Sequence, residues 1–193
     1  MRTLPHRGHG VARATVLDSQ RWRLLEGMVE ATARHGYAGA TVAEVIEIAG
    51  VSRKAFYEHF TDKEDCFIAA YDVVSDQMIA QLVAAGSGHA PGSARRRAYV
   101  IGYLTTLDRD LAVARVFTVD VLGAGRQVLE RRDAVNRRFA DHLFGDSQLD
   151  MVRRLAVVGG VNAVVASELL DREPKLLALA ESLSAFVHAA LRS

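Results

Sequence analysis

Arg53, Lys54, Tyr57 and His59 crowd into the short stretch GVSRKAFYEHF at residues 50–60, and each is a side chain that can grip a polyanion. A guanidinium can pair bidentately with the acceptor edge of guanine, and an ammonium can reach a base acceptor or a phosphate. A phenol and an imidazole suit phosphate oxygens, which fix position without reading sequence. At about 100° per residue on a helix, Arg53, Lys54 and Tyr57 share one face, while Ala55, Phe56 and His59 turn toward the other. Two neighbouring cations are usually no more than a solvated face. Here they coincide with a glycine turn, an inward aromatic and capped helices on either side, which favours a surface built to lie against nucleic acid.

Caps and breaks show which elements must hold those side chains. TVAE at 41–44 has the capping-box pattern, with Thr41 as N-cap and Glu44 three residues on. The helix it opens is short, because Gly50 suits a left-handed turn and Ser52 can cap the helix that follows. TDKE at 61–64 repeats the box, so a further helix is expected from near Asp62 past Met78 to Ala85. Upstream, a helix from near Ser19 to His35 would bury Leu24, Leu25, Met28, Ala31 and Thr32 as one stripe. Gly36 would end it in the left-handed region, with Tyr37 closing the cap by an apolar contact; Trp22 lies near the edge of the stripe and its direction stays open. Two short helices joined through a glycine turn, the second presenting cations, form the helix-turn-helix arrangement whose second helix enters a major groove. The helix starts near Thr41, and near Asp62 with Lys63 beside it, offer free N–H groups to phosphate. Glu58 and Asp62 limit how closely a phosphate can approach there.

Bulk composition does not announce a nucleic-acid binder. The 193 residues carry 24 Lys and Arg against 23 Asp and Glu, a net charge of +1, so any basic footprint must be local. Half the chain is apolar, enough to bury a core, and apolar residues recur at three- and four-residue spacing, so the expected fold is all-α. Cys66 is the single cysteine, which excludes an internal disulfide and a thiolate metal cluster; its expected role is a small buried apolar group. Neither an uninterrupted apolar run of membrane-spanning length nor a secretory h-region is present, so a cytoplasmic protein without a membrane partner is expected. Residues 1–16, with Arg2, Arg7, Arg13, His6 and His9, read as a flexible basic arm. Beyond a turn-rich loop at 84–93, helices are expected at roughly 93–107, 110–122, 125–144, 149–170 and 174–191.

HGYAGATVAEVIEIAGVSRKAFYEHFTDKEDCF, residues 35–67, resembles the TetR (tetracycline-repressor-like) family of transcriptional regulators in its Gly-Tyr, Thr-Val, Ala-Gly-Val-Ser, Phe-Tyr, His-Phe and Lys-Glu elements and their spacing. The resemblance is specific over residues 20–70 and weak beyond. It implies about nine helices: a three-helix DNA-binding domain at 17–66 and a helical effector-binding and dimerisation domain at 67–193. It also implies DNA-contact roles for Thr41, Ser52, Arg53, Lys54, Tyr57, His59 and Lys63. Two positions depart from the family pattern. Ile46 stands where a small alanine is usual inside the helix-turn-helix, and Lys54 adds a cation where relatives often carry a small residue.

One helix-turn-helix module covers little DNA, so tight specific binding requires two half-sites and a palindromic operator read by a homodimer. The apolar segments within 150–170 and 174–191 are the expected pairing surface, and Gly159, Gly160, Ala163 and Ala166 would allow close approach. The resemblance implies a four-helix bundle there. It also implies a small organic effector among the middle helices, where Tyr99, Tyr103, Phe117, Asp120, Phe139 and Asn162 are the candidates. Asp120 in an apolar run needs a partner, either Arg115 or a bound group. No nucleophile elbow, metal-binding histidine pair or credible pair of acids is found, so neither an enzyme, a metal nor a cofactor is expected. The expected function is a ligand-released repressor; a ligand-independent DNA-binding regulator and an all-helical small-molecule binder are the rivals.

Overall fold

The computed structural model describes residues 13–145 and 147–191, and the arm read at the N-terminus lies outside them as far as residue 12. Among the described residues the chain is all-helical, with nine α-helices and two short 3-10 turns. They are α1 (Arg13–Gly39), α2 (Val42–Ala49), α3 (Arg53–His59), α4 (Lys63–Gly86), α5 (Ser93–Asp108), α6 (Leu111–Thr118), α7 (Arg126–Phe144), α8 (Met151–Glu168) and α9 (Ala180–Ala189). Two compact units divide the chain, Met1–Tyr71 and Asp72–Ser193, with the boundary inside α4.

In the first unit, Leu24, Leu25, Met28 and Ala31 of α1 form the expected stripe, all of them buried. They face a core completed by Val45 and Ala49 of α2, Ala55 and Phe56 of α3, and Cys66 and Phe67 of α4. A fully buried phenylalanine contributes about 1.5–3 kcal/mol, so Phe56 and Phe67 are major anchors of this small core. α1 begins six residues before Ser19, because no glycine or proline between residues 11 and 26 stops the helix. Gly36 has φ 67° and ψ 167°, a kink in the positive-φ region, and the ring of Tyr37 then packs edge-on against Phe67 at 4.9 Å.

The second unit has its own core, built on Leu82 of α4, Leu104 and Leu107 of α5, Phe144 of α7 and Val165 of α8. α6 ends at Thr118, short of the expected 122, and a 3-10 turn at Asp120–Gly123 carries the chain to α7. α9 likewise follows a 3-10 turn at Leu176–Leu179. α4 is long and apolar enough by length and composition to cross a membrane, but its apolar side supplies core: Cys66, Phe67 and Ala70 in one unit, Met78, Ile79 and Leu82 in the other.

Candidate nucleic-acid interface and ligand cavity

Local hydrogen bonds build the surface that carries Arg53. Thr41 Oγ1 accepts the Glu44 N–H at 3.2 Å and starts α2. The Glu44 carboxylate lies 3.0 Å from His35 Nε2, which ties the end of α1 to the start of α2. At the other end of α2, Gly50 adopts φ 61° and ψ 42°; its N–H donates to Glu47 O, and that of Val51 donates to Ile46 O at 3.2 Å. This paired capping leaves the carbonyls of Ala49 and Gly50 pointing outward, and Arg23 Nη1 donates to both, at 3.1 and 3.3 Å. Ser52 Oγ then accepts the Ala55 N–H at 3.1 Å and opens α3. The hydroxyls of Thr41 and Ser52 act as cap acceptors, so their own protons remain available to an outside acceptor such as phosphate.

α3 presents Arg53, Lys54 and Tyr57 to solvent and buries Ala55 and Phe56, as the helical period requires. Tyr57 is 53% exposed, and the Lys54 side chain is 87% exposed with Glu58 at 3.8 Å. Such an exposed pair is worth about 0.5 kcal/mol or less, too little to hold Lys54 back from a stronger anion. Phe56 packs edge-on to Tyr57 at 5.3 Å and against Phe60 at 5.8 Å, fixing the rotation of α3 on its core. Ile46, the bulky departure inside the helix-turn-helix, is half-buried in α2.

Two expected contact residues sit differently. His59 is half-buried, and its Nε2 is closed off without a hydrogen-bond partner, so that nitrogen meets a phosphate only if the ring turns. Lys63 Nζ donates to Tyr37 O at 2.8 Å and Ala40 O at 3.0 Å, with the Tyr37 ring 4.3 Å away. Burial holds the pKa of this amine below its usual range. In this position the ammonium caps the carbonyl end of α1. The start of α4 is also less open to phosphate than expected, because Asp62 Oδ1 accepts the Asp65 N–H and Asp65 Oδ2 accepts the Thr61 N–H, both at 2.9 Å. Sequence reasoning missed Arg23 and Gly27. A Cβ on Gly27 would stand 2.8 Å from Val45 O, so this glycine lets α1 and α2 touch; a glycine inside a helical pattern was the available signal.

In the second unit four of the six expected effector residues come together. Tyr99, Tyr103, Phe139 and Asn162 line one cavity of about 30 Å³ with Leu82, Val100, Leu143, Val158 and Val161. Tyr103 Oη donates to Asn162 Oδ1 at 2.9 Å, and Asn162 Nδ2 donates to Asn136 Oδ1 at 3.1 Å, which supplies the partners an amide in an apolar run needs. Asn136 was not anticipated. Phe117 and Asp120 are not in this wall: Phe117 is buried elsewhere, and Asp120 opens the 3-10 turn after α6. Burial raises the Asp120 pKa, and the charge of Arg115 opposes that rise.

α8 leaves a run of small and apolar residues uncovered: Val152, Ala156, Gly159 and Ala163 are exposed at three- and four-residue spacing, Val152 at 78%, and Leu170 just beyond the helix is 59% exposed. Its two adjacent glycines differ. A Cβ on Gly160 would lie 3.1 Å from the Phe186 ring, whereas one on Gly159 would meet nothing within 4 Å.

Residues 24–70 match the family described as bacterial regulatory proteins, tetR family. The chain is similar to the HTH-type transcriptional repressor AcnR of Corynebacterium diphtheriae, 46% identical over 59 residues, a match that spans 31% of each chain. Its fold is similar to that of the transcriptional regulator FadR from Bacillus subtilis in complex with stearoyl-CoA, with a TM-score of 0.77 at 18% identity over 87% of this chain and 97% of that one. It is also similar to SCO4454, a TetR-family transcriptional regulator from Streptomyces coelicolor, with a TM-score of 0.71 at 18% identity over 95% of this chain and 96% of that one. Residues 24–70 therefore carry the domain of the tetR family of bacterial regulatory proteins, and the chain as a whole shares the fold of these two structures.

Proposed function

We propose that the protein is a homodimeric, sequence-specific transcriptional repressor that leaves its operator when a small organic molecule binds. The observation that carries the DNA-binding part is the outward trio of Arg53, Lys54 and Tyr57 on a helix rotationally fixed by Phe56. Arg53 and Lys54 enter the major groove and read base edges; Tyr57, Thr41 and Ser52 hold phosphates. His59 joins them if its ring turns outward, and Lys63 contributes through the end of α1 that it caps. The repressor name of the AcnR relative supports the sign of regulation. A protein of this kind works in the cytoplasm, where the DNA is.

Pairing through α8 and α9 is supported by the uncovered face of α8. Glycine inside a helix costs about 0.5–1 kcal/mol relative to alanine, and Gly159 has no neighbour in its own chain that requires it. A second copy pressed against that face gives it a reason. The dimer then sets two α3 helices at the spacing of one helical turn of DNA, or a multiple of it. The stearoyl-CoA bound by the FadR neighbour supports an effector, and the cavity between α5, α7 and α8 is its seat. An effector that favours the DNA-incompetent dimer by a typical coupling of about 1–3 kcal/mol lowers operator affinity about 5- to 150-fold.

The small cavity favours one other reading, a DNA-binding regulator without an effector, because about 30 Å³ holds little more than a water molecule. The deciding experiment is selection of bound fragments from the source genome, followed by mobility shift at two salt concentrations with and without candidate ligands. Salt-sensitive binding to a palindromic fragment, released by a ligand, supports the proposal. Release by none of the ligands favours the second reading, and the absence of fragment binding removes both.

A further inference from the structure

The wall of the cavity that Tyr103 and Asn162 line states what that cavity can accept. None of its nine lining residues carries a charge, and apart from the tyrosines and Asn162 all are hydrocarbon. An ionic head group placed there would lose its hydration without meeting a counter-charge, which costs far more than the burial of an apolar chain gains. Seven of the nine are buried, and only Phe139 and Asn162 are partly open to solvent, so those two mark the mouth. At that mouth the amide of Asn162 is already oriented by Tyr103 on one side and Asn136 on the other. An amide has two N–H donors and two acceptor lone pairs, and these two bonds use one of each. One N–H and one lone pair are therefore left, held in place before any ligand arrives.

We infer that the effector is an uncharged, largely hydrocarbon molecule with one hydroxyl or carbonyl group, which Asn162 reads at the cavity mouth. This rests on the effector reading above and gives it a chemical class. In the described shape the cavity is too small for such a molecule, so entry moves a side chain, and the half-exposed Phe139 ring, 5.9 Å from that of Tyr103, moves with least loss of burial. The hydrocarbon part then lies against Leu143, Val158 and Val161 of the wall while the polar group pairs with the amide.

The test titrates the full-length protein with 1-decanol, decanoate and decylammonium, ligands of equal chain length, and reads both dissociation constant and melting temperature. The expected result is that 1-decanol raises the melting temperature and binds at least tenfold more tightly than either ion. Asn162→Leu, or Asn162→Ala where the leucine variant does not fold, should weaken decanol binding about three- to tenfold through the lost hydrogen bond. Failure of decanol to bind, an ion binding within tenfold of it, or an Asn162 variant with unchanged decanol affinity overturns the inference. Mobility shifts on the same samples with the selected genomic fragment separate the two levels. DNA binding with no decanol binding removes this inference alone, and decanol binding with no DNA binding removes the repressor reading and leaves this one standing.

Discussion

Arg53 and Lys63 are ten residues apart in the same basic module, yet they face different work. Arg53 is exposed on α3 and carries no ion pair among the described residues, whereas Lys63 holds the carbonyls of Tyr37 and Ala40. Lys63→Met should therefore lower the stability of the fold by about 1–2 kcal/mol, the scale of hydrogen bonds to a charged group at a partly exposed site, and a thermal melt measures it. Operator affinity should fall with it for all sequences alike. Cys66 gives a pH prediction at the same scale. Burial first, with the charge of Asp65 adding, pushes its thiol from 9.0 up to about 12. The folded chain keeps a proton that the unfolded chain releases above 9.0, so this contribution is complete below that pH and is lost as pH rises toward 12. Melting temperature should fall more steeply with pH in that window for the wild type than for Cys66→Ala. A thiol reagent near neutral pH should label Cys66 only after unfolding; rapid labelling of the native protein contradicts the burial described.

At the scale of elements, α1 positions everything the module presents. Gly27 lets α2 approach closely enough that an added methyl would collide with Val45 O, and backbone cannot step aside as a flexible side chain can. Gly27→Ala should destabilise the protein by about 1–3 kcal/mol, as overpacking does, and weaken DNA binding without changing base preference. Denaturant unfolding and competition between related DNA fragments check the two parts. Much of this module was legible in the sequence because its signals are local: Thr41 and Ser52 cap within three residues, and Gly50 makes a turn no other residue makes cheaply. What stayed hidden was long-range. Arg23 and Lys63 meet carbonyls 26 residues away, and nothing in their own neighbourhoods distinguishes an internal tie from a surface cation. In the second unit, Tyr99, Tyr103, Phe139 and Asn162 line one cavity because apolar helices with a few polar groups must share a core. Phe117 and Asp120 stand outside that wall, because the early end of α6 and the 3-10 turn break the register a single longer helix would have kept.

For the molecule as a whole, assembly and DNA binding should fail together. A Cβ at Gly159 meets nothing within 4 Å in its own chain, so a leucine there should leave the subunit fold intact, but in the proposed dimer it would stand between two paired α8 helices. Gly159→Leu should leave the melting transition of the chain present while sedimentation shifts toward monomer, and a fragment with both half-sites should then bind no better than one with a single half-site. A dimer unchanged by this substitution would place the pairing surface elsewhere. The most direct check of the central reading is the affinity of Arg53→Ala for the selected fragment and for a panel of its single-base variants, with the melting temperature followed in parallel. Loss of about 1–3 kcal/mol on the best fragment, flattened preference at one base position and an unchanged melt are the expected result. Affinity and preference equal to those of the wild type would contradict the assignment of α3 as the helix that reads DNA.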